Sequence, residues 1–158
     1  DGDGAMDVLT ANGDNADYTP FAKHYHGVRV YLNDGENHFV EAVFYPLNGA
    51  YKALPVDFDA DGDLDIAAIS FFPDYEKAPE ESFVYLENEG DMAFVAWTFL
   101  AATDARWLTM DAGDVDGDGD EDIVLGAFVR GASNVPPALE KRWQREATSL
   151  LILRNKHF

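Results

Sequence analysis

The sequence predicts an all-β chain assembled from repeated antiparallel units of four strands, and three observations carry that expectation. An acidic nonapeptide at 57–65, DFDADGDLD, returns 57 residues later as DVDGDGDED at 114–122. Short runs rich in apolar β-branched and aromatic residues flank each copy in the same order. Turn-forming Asn, Asp and Gly separate those runs. Self-similarity at such a period marks architectures in which each repeat is one supersecondary unit that buries its faces against its neighbours.

Taken in order, the chain opens on DGDGAMD at 1–7, which fits the acidic frame with its first two positions missing. Val8-Leu9 begins the strand after it, and 28–32 (VRVYL) forms the next, closed by the turn Asn33-Asp34-Gly35. Strands at 39–44 and 51–56 lead into the loop at 57–65. The pattern then repeats: 66–69 (IAAI), 83–86 (FVYL), the turn Asn88-Glu89-Gly90, 93–99 and 108–112. After the loop at 114–122 come 123–125 (IVL) and 150–153 (LLIL), with Asn155 behind them. Short apolar runs bounded by turn residues favour strands over helices. Insertions at 12–27, 72–82 and 129–149 fall at one place in every unit; in the third, Pro136-Pro137 precedes a predicted short helix at 138–147.

One unit is therefore strand, acidic loop, strand, insertion, strand, hairpin and strand, which is the pattern of a β-propeller blade. Residues 1–49 make a partial blade of the last three strands, 50–106 a complete blade, and 107–158 a partial blade carrying the long insertion. Two and a half to three blades leave open edges. Because both ends cut through motifs, the expectation is an open fragment of a larger propeller, completed by further blades of the same protein or by neighbouring chains.

Composition supports a folded domain: 47% hydrophobic and 13% aromatic residues suit a chain with a core. The net charge is −19, from 30 Asp and Glu against 11 Lys and Arg. That balance argues against nucleic acid, whose phosphates demand a basic footprint. No apolar run reaches the length of a membrane span. Cysteine is absent, which excludes disulfides and thiolate metal sites. The acid is clustered, with five carboxylates in 57–65 and six in 114–122. Adjacent carboxylates repel and call for a counter-ion.

The loop spacing D-x-D-x-D-G-x-x-D meets the needs of calcium, a hard cation that takes about six to eight oxygens. Side chains at positions one, three and five are Asp57, Asp59 and Asp61 in one loop and Asp114, Asp116 and Asp118 in the other. Gly62 and Gly119 follow, at a turn that demands positive φ. Asp63 and Asp120 offer backbone carbonyls, and Asp65 and Asp122 close the cage with both carboxylate oxygens. The first loop retains Asp1, Asp3 and Asp7, with Gly4 at the turn and Ala5 as carbonyl donor, so two complete calcium sites and one partial, weak or empty site are expected. An EF-hand is excluded because its position twelve, a Glu, is Ala68 or Leu125 here. Magnesium prefers a rigid octahedron, and transition metals want His or Cys, which the loops lack.

At DFDADGDLDIAAIS, DVDGDGDEDIVLGAF and the hairpins YLNDGENHF and YLENEGDMAF, the chain resembles the FG-GAP/VCBS repeat family, the calcium-binding blades also found in integrin α-subunit propellers. The resemblance implies a propeller in a secreted or cell-surface protein, with acidic loops on one face and the insertions on the other. It implies binding or scaffolding rather than catalysis, in an extracellular, cell-surface or periplasmic setting. The insertions carry His24, Tyr25, His26, Tyr75, Arg142 and Trp143, which either pin the loops to the blades or form a site for a glycan or cell-surface protein. No catalytic residues are assigned. The alternatives are a propeller-based polysaccharide-processing enzyme using His24 and His26 as acid and base, and a self-assembling extracellular fibre subunit joined through open edges.

Overall fold

The apolar runs become strands because their side chains alternate between the two faces of a sheet, both of which are buried in the middle blade at 65–70. The computed structural model describes residues 1–13, 23–129 and 135–156. Among these, β1 (Val8–Asn12), β2 (Gly27–Asn33) and β3 (Phe39–Pro46) form one antiparallel sheet. The second contains β4 (Ala50–Val56), β5 (Asp65–Ser70), β6 (Phe83–Asn88) and β7 (Phe94–Trp97). The third contains β8 (Trp107–Gly113), β9 (Asp122–Ala127) and β10 (Leu150–Leu153). Each sheet pairs consecutive strands, none closes on itself, and the three stand side by side as blades.

The middle blade is covered on both sides, and β5 is buried along its whole length. Ile66 and Ala68 pack with Val84 and Leu86 against Val28, Val30 and Leu47 of the first blade. Their neighbours Ala67 and Ile69 point the other way, packing with Phe83 against Trp107, Met110, Ile123 and Leu125 of the third. Burying one such large side chain contributes about 2 kcal/mol. The small Ala67 and Ala68 let adjacent blades approach closely.

Register repeats as faithfully as sequence. The ladder slips between Ala50 and Lys52 in β4 and between Trp107 and Thr109 in β8, equivalent places in two blades. A bulge at the same position of both blades that carry this strand belongs to the design of the blade, bending its first strand.

The acidic loops join β4 to β5 and β8 to β9 at one end of the strands, and the insertions leave from the other. The short helix expected at 138–147 is found as α1 (Pro137–Glu146), started by Pro137 and ended by Ala147 in the left-handed region. Two short 3₁₀ turns, Pro79–Ser82 and Leu100–Asp104, were not legible in the sequence pattern. The centres of the first and third insertions, 14–22 and 130–134, and residues 157–158 lie outside the described residues. Among the described residues no helix is long and apolar enough to cross a membrane.

Candidate metal centre

Each complete acidic loop is held at its base by the ladder, with Val56 opposite Asp65 and Gly113 opposite Asp122. Between these anchors the loop folds on its own carboxylates. Asp57 accepts from the amides of Asp61 at 3.2 Å and Gly62 at 3.1 Å, while Asp59 and Asp61 accept from the amides two residues on. Asp114 plays the part of Asp57, taking the amides of Gly117 at 2.6 Å and Gly119 at 3.1 Å. Gly62 and Gly119 have φ of +102° and +101°, as the turn requires. The position two residues earlier is also left-handed in every copy: Gly2 and Gly117 at +82°, but Ala60 at +59°. An L-residue there costs about 1 kcal/mol that glycine avoids, partly offset by chain entropy. Ala60→Gly is therefore expected to raise stability by up to about 0.5 kcal/mol in urea denaturation, whereas a loss would show that the backbone strain is negligible.

This wrapping brings carboxylates to a common point. One oxygen each from Asp57, Asp59 and Asp61 lies within 4.8 Å of the others, and so do oxygens of Asp114, Asp116 and Asp122. The carboxyl pKa of Asp59 is raised by partial burial and then by the charges of Asp65, Asp61 and Asp57. That of Asp116 is raised by lost solvation and then by Asp118 and Asp122, against the pull of Arg154, whose guanidinium stands 3.3 Å away. The donor set is all oxygen, hard and anionic, which fits a divalent cation such as calcium.

The two ninth-position acids differ from each other. Asp65 is fully buried. Its Oδ2 accepts from the Phe58 amide at 3.1 Å and the Tyr85 hydroxyl at 2.7 Å, and its Oδ1 from the Asn88 amide at 2.8 Å. A carboxylate oxygen has about two lone pairs, so Oδ2 is full and Asp65 has one acceptor place left. Closure of the cage by both its oxygens does not fit this arrangement. Among the described residues Asp122 takes the amides of Val115 at 3.1 Å and Asn155 at 2.8 Å, one on each oxygen, which leaves a lone pair on both.

The hairpin asparagines complete this clasp. Asn33, Asn88 and Asn155 donate their amides to Asp7, Asp65 and Asp122. Their side-chain amides reach the carbonyls of Met6, Leu64 and Phe58 respectively. Asn33 and Asn88 also cap their own turns through Oδ1. Sequence reasoning marked these residues only as turn formers; their recurrence in every unit was the signal for more. In the first loop, Asp1 and Asp3 hold their own turn, and the Asn33 amide draws the Asp7 pKa down. A further trio, Asp34, Glu36 and His38, escaped the sequence reading; it closes the first hairpin, with His38 Nδ1 2.8 Å from Asp34 Oδ2.

Blades of this kind, each with one acidic loop clasped by a hairpin Asn, agree with the comparison to known families. A family model of FG-GAP-like repeats matches residues 1–68 and again residues 57–125. The chain belongs to the FG-GAP-like repeat family. No curated protein and no solved structure matches it. Each FG-GAP-like match begins and ends at an acidic loop, and the loop at 57–65 is shared by both. The helix α1 and strand β10 lie beyond the matched residues.

That insertion is docked on the blades. Trp143 is 1% exposed and donates its indole N–H to the Thr103 carbonyl at 2.8 Å. Tyr75 meets Trp143 edge to face at 5.5 Å, and burial pushes its hydroxyl pKa up to about 12. Arg142 bonds Thr103 and pairs with Asp104 at 3.3 Å. His26 is buried, with Nδ1 3.2 Å from the Gly49 amide and 3.1 Å from Asn48 Oδ1. Of the six side chains considered for partner contact, His24 and Tyr25 are exposed; the others face inward or are tied to the blades. His24 is thus exposed where His26 is buried.

Proposed function

We propose that this FG-GAP-like module is an extracellular scaffold or interaction unit whose loops bind structural calcium. The convergence of three carboxylates in each of two loops, in register 57 residues apart, carries this conclusion. Two divalent ions would offset four of the 19 net negative charges and favour the ionised forms of Asp59 and Asp116, whose pKa values are raised by lost solvation and then by neighbouring carboxylates. Exposed loops of this kind suit the weak calcium affinities of extracellular modules, about 0.1–1 mM. The insertions leave the blades at the opposite end, where His24, Tyr25 and the outer face of α1 are offered to a glycan or protein partner.

Thermal unfolding in calcium, in magnesium and with a chelator tests the calcium assignment. Binding to the folded state alone contributes about 2.7 kcal/mol for a site at a hundredfold excess over Kd. Calcium is expected to raise Tm, magnesium to raise it far less, and Asp59→Ala with Asp116→Ala to remove the shift. A folded chain whose midpoint ignores calcium would reduce the loops to acidic turns.

A further inference from the structure

The groove between the second and third blades is a cavity of about 380 Å³ beside the loop at 57–65. Aromatic rings line it. Phe58 and Tyr85 meet edge to face at 5.9 Å, Phe99 is braced against Phe83 at 5.1 Å, and Trp97 stands at the rim, 56% exposed. An exposed indole is free to rotate unless something holds it. Here Trp97 Nε1 donates to Glu87 Oε2 at 2.6 Å, which fixes the ring and sets a carboxylate beside it. Asp59 and Glu121 line the same cavity. The guanidinium in the lining, Arg154, is paired at 3.3 Å with Asp116, which lies outside it.

Ring faces carry negative potential and attract cations, more strongly where solvent is excluded. Three carboxylates add to that field and repel an anion. A primary ammonium, compact and strongly hydrated, needs hydrogen-bond acceptors around it and would be held by the carboxylates while owing little to the rings. A cation with its charge wrapped in methyl groups needs none. We propose that this groove binds a small organic cation bearing a trimethylammonium group, seated on Tyr85, Trp97 and Phe99, with Glu87 and Glu121 as counter-charge. Glu87 and Glu121 carry the site whether or not Asp59 is coordinated, while the pairing that neutralises Arg154 is shared with Asp116 of the candidate metal loop.

Calorimetric titration with choline, and with its neutral isostere neohexyl alcohol, separates charge from shape. Choline is expected to bind in the millimolar range or tighter, with the isostere about tenfold weaker, the scale of a cation–π contact. Trp97→Ala removes an exposed side chain and is expected to keep the thermal midpoint while weakening choline about fivefold. Glu87→Gln, which keeps an acceptor for the indole, is expected to weaken it about threefold. Equal binding of the two ligands, or no choline binding by the folded chain, overturns the proposal. Unchanged affinity in Trp97→Ala overturns it as well.

Discussion

Replacing Asp65 by Asn is expected to lower stability by about 3 kcal/mol even when calcium is chelated, and replacing it by Ala by about 4 kcal/mol. The carboxylate is fully buried and receives three donors: the amides of Phe58 and Asn88 and the hydroxyl of Tyr85. Hydrogen bonds to an ionised acceptor contribute about 1.5–3 kcal/mol each, and a buried donor left without a partner costs about 1–3 kcal/mol. Asn keeps the shape but turns one acceptor into a donor, so its NH2 must face an amide N–H. Ala leaves all three donors unpartnered. Asp59→Asn is the informative contrast. The raised pKa of Asp59 means that its ionisation opposes folding in the absence of a cation. Neutralising it is expected to leave stability in chelator undiminished while removing part of the calcium response. Urea denaturation of the two Asn variants, each with and without calcium, separates the structural acid from the metal-facing one. If Asp65→Asn in chelator stays within about 0.5 kcal/mol of the parent, the clasp contributes nothing and Asp65 is merely another loop carboxylate.

The division of labour among these acids shows where sequence stops being informative. Spacing alone placed five Asp side chains in each loop and flanked them with strands, because ladder pairing and loop wrapping are local and repeat with the chain. Burial of β5 on both faces was also legible, since IAAI offers apolar side chains at successive positions and leaves neither face for water. Nothing local separates Asp65 from Asp57, however. Their difference is created by Asn88 and Tyr85, more than 19 residues away and brought back by the pairing of β6 with β5. The Trp97 groove was invisible for the same reason, because its walls belong to two blades. Of the two readings left open for the insertions, pinning to the blades is the one found at Trp143, although composition alone does not say that α1 folds back on the connection between blades.

That docking sets the second large effect. Trp143→Ala is expected to cost about 3–5 kcal/mol, the range for deleting a buried Trp. The indole is 1% exposed, packs edge to face on Tyr75 and lies 5.8 Å from the Arg106 guanidinium. Its N–H reaches Thr103 in the 3₁₀ turn that links the second and third blades, where Arg142 also binds. One side chain thus fastens a helix inserted in the third blade to the junction behind it. Because the blade cores at Trp107 and Ile69 do not include Trp143, the loss should be local. Hydrogen exchange is expected to accelerate across 137–146 while β5 and β9 stay protected. Trp143→Phe keeps ring packing and gives up the hydrogen bond, so a smaller cost of about 1–2 kcal/mol follows. Unaltered exchange across 137–146 in Trp143→Ala would show that α1 is held by other contacts and that the buried indole is dispensable.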